Sequence, residues 1–111
     1  MRVIPLYQTQ QWAELGNVAK NWRASDKNSA EACYYLGLAE DRQGNEIQTV
    51  EQYHKAIELN PQHAGAFFEL GMISSRHGNK EEVHRINLAL NHLDQELAEQ
   101  FQQAAGCNSE C

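Results

Sequence analysis

Apolar residues recur along this chain every three to four positions, the spacing that lines one face of a helix. Trp12, Leu15, Ala19 and Trp22 make one such stripe. Cys33 leads into Leu36 and Gly37 at the same spacing and reads as a small buried hydrophobe. No stretch alternates apolar and polar residues at period two for long, so strands are not expected. The pattern predicts helices at about 9–23, 29–43, 46–59, 63–77, 80–93 and 95–105, an all-α chain. Residues 1–8 and 106–111 are expected to be mobile ends.

Start and stop signals punctuate these helices. Gly44 and Gly78 can take the left-handed conformation that ends a helix at no steric cost. Asn45 and Asn79 follow as caps, with Gln48 and Glu82 placed to complete capping boxes. Asn28 with Glu31 offers the same arrangement one helix earlier. Asp94 is a candidate cap between the last two helices, which otherwise fuse into one.

A repeat organises all of this. Displaced by 34 residues, Ala30, Ala32, Leu36, Gly37, Arg42, Gly44 and Asn45 fall on Ala64, Ala66, Leu70, Gly71, Arg76, Gly78 and Asn79. Tyr34 falls on Phe68, and the register runs on as Ala64 and Phe67 meet Ala98 and Phe101. Gly37 and Gly71 sit inside helical patterns, where glycine costs roughly 1 kcal/mol relative to alanine. Its repetition there predicts a close approach of two helices.

Leu36-Gly37, Gly44-Asn45, Tyr53, Ala56 and Pro61, and then Phe67, Leu70-Gly71, Gly78-Asn79 and Val83, resemble the tetratricopeptide repeat (TPR), whose period is also 34 residues. The resemblance covers about residues 9–105. It implies a right-handed α-α superhelix of helix-turn-helix repeats. Residues 1–8 are then a flexible N-terminal segment and 9–29 hold the second helix of a truncated repeat. Residues 30–63 and 64–97 are two full repeats, and 98–111 a capping helix with a cysteine-containing tail. The chain departs from the family at Glu40 and Ser74, where an aromatic is common, and at Cys33, where a large aromatic is common. Asn87 stands one copy after Tyr53, and Gln95 replaces a proline, so the second hairpin is less standard than the first.

Composition narrows the function. In 111 residues, 15 acidic against 9 basic side chains leave a net charge of −6. Neutralising phosphates needs a basic face, so neither nucleic acid nor an anionic membrane is an expected partner. No run approaches 18 apolar residues, and MRVIPLYQTQQW is a poor signal peptide. The expected compartment is the cytoplasm, or the periplasm if the chain is an excerpt of a longer protein.

Chemistry-bearing residues are scattered. His54, His63, His77, His84 and His92 form no H-x-x-x-H pair, and read as surface or interhelix residues rather than metal ligands. Cys107 and Cys111 have C-x-x-x-C spacing without a second ligand pair, which leaves an autonomous metal or redox module as an outlying alternative. No phosphate-binding glycine motif occurs, and adjacent acids such as Glu81-Glu82 diverge by about 100° around a helix. No catalytic residue, metal or cofactor is expected, nor an enzyme.

The resemblance implies a peptide-binding groove at Glu31, Tyr34, Leu38, Asp41 and Arg42, and one copy later at Gly65, Phe68, Met72, Ser75 and Arg76. Each set lies on one helix face. Tyr34, Leu38, Phe68 and Met72 are expected to present an apolar strip with Arg42 and Arg76 at its edge, suited to a partner with hydrophobic side chains and an acid. The other outcome is that the strip buries against the chain's own terminal helix or a second copy. A chaperone-tail clamp would need Lys at Tyr34 and Phe68 and Asn at Leu38 and Met72, so that ligand is disfavoured. Trp12 and Trp22, on a helix without its repeat partner, predict an upstream segment or a homo-oligomer through that end. The functional expectation is a protein–protein interaction adaptor or scaffold. Its alternative is a C-terminal interaction, regulatory or oligomerisation domain of a larger bacterial protein or enzyme.

Overall fold

The computed structural model describes residues 12–106, and every regular element among them is a helix. In chain order these are α1 (Trp12–Ser25), α2 (Ala30–Arg42), α3 (Glu46–Leu59), α4 (Ala64–Arg76), α5 (Lys80–Leu93) and α6 (Gln95–Ala104). No described helix is long and apolar enough to cross a membrane. The chain divides after Pro61 into two compact units, α1–α3 and α4–α6.

Helix bounds follow local chemistry, with three substitutions of partner. Ser29, not Asn28, caps α2: its Oγ accepts from the Ala32 amide at 3.1 Å. The Asn28 amide instead donates to Asp26 Oδ1 at 3.1 Å, tightening the preceding turn. Asn45 stands at the cap position of α3 but makes no side-chain cap, so the expected box with Gln48 does not form. Its Nδ2 donates to Glu40 Oε2 at 2.7 Å, a charge-assisted bond that outcompetes a neutral cap. His63 caps α4, with Nδ1 accepting from the Ala66 amide at 3.0 Å. Asn79 and Asp94 cap as expected, accepting from the Glu82 and Leu97 amides at 3.2 and 3.0 Å. Asp94 is extended (φ −160°, ψ 97°), and one residue of that conformation keeps α5 and α6 separate. Gly44 and Gly78 turn the chain at φ 82° and 71°.

In the first unit, α2 is the central element, packed by α1 on one side and α3 on the other. Leu15 and Ala39 are fully enclosed, flanked by Trp12, Val18, Trp22 and Tyr35. Tyr53 from α3 is also fully buried. A methyl group added at Gly37 would lie 2.6 Å from a Tyr53 ring carbon, so the glycine exists to let that ring in. Cys33 is fully buried, as its spacing predicts.

The second unit meets the same requirement with other residues. A methyl added at Gly71 would lie 2.5 Å from Phe101 of α6 and 2.9 Å from Ile86 of α5. Residue 87 is asparagine, so no aromatic from α5 fills that space, and the fully buried Phe101 does so from the last helix. Asn87 is buried and its Oδ1 accepts from Gln102 Nε2 at 3.0 Å, which ties α6 to α5.

Candidate functional site

The residues assigned to a groove occupy unlike environments. On α2, Glu31 is exposed in the first turn, where a carboxylate favours the helix N-terminus. Tyr34 is half-buried, with its ring 5.4 Å from Tyr35 and 6.0 Å from Tyr53. Leu38 is fully buried, which corrects its assignment to an exposed strip. Full burial of a leucine side chain is worth about 1.5–3 kcal/mol relative to leaving it in water. Asp41 accepts from Arg42 Nη1 at 3.0 Å. The Arg42 guanidinium also lies 5.3 Å over the Trp12 ring. Arg42 stays exposed, with its guanidinium leaning toward α1. Cation–π and ion-pair contacts in the same unit hold it there.

On α4, Phe68 is half-buried and meets Phe101 edge-on, with ring centroids 5.8 Å apart. The Ser75 hydroxyl donates to the Ala105 carbonyl at 3.4 Å. Of the strip residues on α4, Phe68 is thus met by a ring from α6. Met72 is half-buried, and Arg76 is exposed at the end of α4. Within this unit Phe68, Met72 and Arg76 follow each other along one helix face.

Trp12 and Trp22 are both half-buried against α2, Trp22 stacking on Tyr35 at 6.4 Å and 25°. Among the described residues no group of three or more His, Cys, Asp or Glu side chains is placed to hold a metal ion. Cys107 and Cys111 lie outside the described residues. The Cys33 thiol is pushed above its ordinary value by burial, and Arg23 and Lys55 oppose the shift. Arg23 Nη1 also donates to Cys33 Sγ at 3.6 Å.

One feature of the first unit had no signal in the helical pattern. A polar recess of about 460 Å³ opens between α1, α2 and α3, walled by Asn17, Lys20, Glu40, Gln43, Asn45 and Gln52 among others. Glu40 is buried at 8% exposure although its side chain is a carboxylic acid. In sequence it stood out only as an acid at a position where the repeat resemblance implies an aromatic.

No protein-family model matches the chain. Over 58 residues, 52% of its length, the chain is 34% identical to the probable biofilm formation methyltransferase WspC of Pseudomonas putida strain KT2440. That stretch is 14% of the methyltransferase, so the chain spans a small part of the relative it matches.

Proposed function

We propose that this chain is a protein-interaction module of the tetratricopeptide kind, with its hairpins stacked as a right-handed superhelix and a partner segment bound along the first helix of each pair. The observation that carries the reading is the 34-residue step of the elements themselves. The helix α2 at Ala30–Arg42 is repeated as α4 at Ala64–Arg76, and α3 at Glu46–Leu59 as α5 at Lys80–Leu93. Gly44 and Gly78 recur at the same step with the same left-handed turn. Stacked repeats of this design present extended faces rather than catalytic centres, and the module has no catalytic activity of its own.

Burial of Leu38 narrows the surface. On this reading a partner meets the exposed Glu31 and Arg76 and the half-buried Tyr34, Phe68 and Met72. That set suits a segment with hydrophobic side chains and an acid for Arg76. Affinity capture with the 111-residue chain, compared with a Met72→Ala, Arg76→Glu variant, tests it. Partners retained by the wild type fall at least tenfold in the variant, while circular dichroism melting stays the same. Equal recovery from both refutes the groove.

A second reading rests on the partial match. The matched stretch lies in a much longer protein described as a methyltransferase. The module then serves as the interaction or regulatory part of a larger bacterial protein. Detection of the native protein by antibody at a mass well above 12.6 kDa supports that arrangement, and a band at 12.6 kDa removes it.

A further inference from the structure

The recess between α1, α2 and α3 has the chemistry of a site. Its volume of about 460 Å³ falls in the range of small-ligand pockets, about 300–1,000 Å³. Among the described residues Glu40 is the only carboxylate on its wall, and it is buried at 8% exposure. An ionised carboxylate offers about four acceptor positions. Asn45 Nδ2 fills one of them at 2.7 Å. Among the described residues no lysine or arginine pairs with it. Burying a charge without a cation is costly, and the cost is recovered when one arrives. On the wall of the same recess, Gln52 Oε1 is screened from solvent and accepts no hydrogen bond. Gln43 Nε2 is already committed to the Ala39 carbonyl at 3.0 Å. The unmet capacity in the recess is therefore acceptor capacity, next to one negative charge.

We propose that this recess binds the arginine side chain of a partner protein, its guanidinium forking onto the Glu40 carboxylate and onto Gln52 Oε1 after rotation of the Gln52 amide. A guanidinium presents five donors in a plane and sheds water more readily than an ammonium, so it fits paired acceptors in a partly dry pocket better than lysine does. The amide torsion of glutamine is broad, and turning it relieves a buried oxygen without moving the helix. Lys20 on the rim is a like charge that weakens binding modestly. The recess shares no residue with the groove assigned above, so the two sites stand or fall separately.

The test is a titration of the 111-residue chain with acetyl-arginine methylamide, followed by amide NMR shifts, with the citrulline equivalent as an isosteric neutral control. The arginine probe binds saturably, with a dissociation constant on the order of 1 mM for so small a ligand. Shifts centre on Glu40 and Gln52, and the citrulline probe binds at least tenfold more weakly. Glu40→Gln loses at least tenfold in affinity, and Lys20→Met binds as well as or better than the wild type. The variant Met72→Ala, Arg76→Glu keeps full arginine binding, which separates this site from the groove. No saturable binding to the wild type, or equal binding of arginine and citrulline, overturns the proposal even if Glu40→Gln fails to fold. A folded Glu40→Gln of unchanged affinity overturns it as well.

Discussion

Replacing Gly37 by alanine and, separately, Gly16 by alanine applies one chemical change to two helix interiors of the same unit, with opposite expected signs. Either change relieves the helix of glycine's backbone entropy, worth about 0.5–1 kcal/mol in favour of folding. At Gly16 the new methyl meets Ala39 Cβ at 3.5 Å and Gln43 Nε2 at 3.6 Å, ordinary contact distances, so the helix gain survives. At Gly37 it meets Tyr53 ring carbons at 2.6 and 2.8 Å. Tyr53 is fully buried, so its ring has no solvent to retreat into. Overpacking of this kind costs about 1–3 kcal/mol, which exceeds the helix gain. The net expectation is destabilisation of about 1–2 kcal/mol for Gly37→Ala and stabilisation of about 0.5 kcal/mol for Gly16→Ala. Urea titration followed by tryptophan fluorescence measures both, because the 2 tryptophans of the chain are Trp12 and Trp22 in α1 of this unit. Midpoints shift in opposite directions with unchanged slopes. Combining Gly37→Ala with Tyr53→Leu costs less than the sum of the single changes, since the smaller side chain vacates the clash. A Gly37→Ala protein as stable as the wild type, or a destabilised Gly16→Ala, refutes the argument that Tyr53 dictates glycine at 37.

Further outcomes follow from other contacts in the two units. Asn87→Ala removes the acceptor of Gln102 Nε2 and costs about 1–2 kcal/mol, seen as faster amide exchange along α6. His63→Ala and Asp94→Ala each leave a first-turn amide, of Ala66 and Leu97 respectively, without its cap. Each loses about 1 kcal/mol, with exchange rising in the first turn of α4 or α6 and not elsewhere. Burial raises the Cys33 pKa, so the folded chain keeps this proton at a pH where the unfolded chain has lost it. Stability is unaffected below the ordinary thiol value and falls as pH rises through and beyond it, a dependence that Cys33→Ala abolishes in alkaline melting curves. In a Cys107→Ser, Cys111→Ser background, alkylation of Cys33 is slow until denaturant opens the unit.

Helix positions were legible because caps, left-handed glycines and apolar spacing act within four or five residues. Gly44 and Gly78 end helices, and Asn79 and Asp94 start them, for reasons contained in those few residues. The 34-residue step was legible on the same ground, and Gly37 and Gly71 announced a close approach before its partner was known. The groove was less legible. Tyr34, Met72 and Arg76 share helix faces with their neighbours, but facing a direction is not the same as facing solvent.

The sequence by itself determined six helices, their order and the two glycines that demand a bulky neighbour, because these are decided by short-range backbone chemistry. Tertiary structure alone decided what satisfies each demand. Tyr53 fills the space over Gly37 from the adjoining helix. Over Gly71 the asparagine at 87 leaves that space to Phe101 of the last helix. It likewise decided that Leu38 is enclosed, that Arg42 turns to Trp12, and that Glu40 lies buried in a polar recess whose wall also carries Gln52 with an unsatisfied Oε1. Each of these depends on which surfaces meet, and burial is a property of the meeting rather than of the residue.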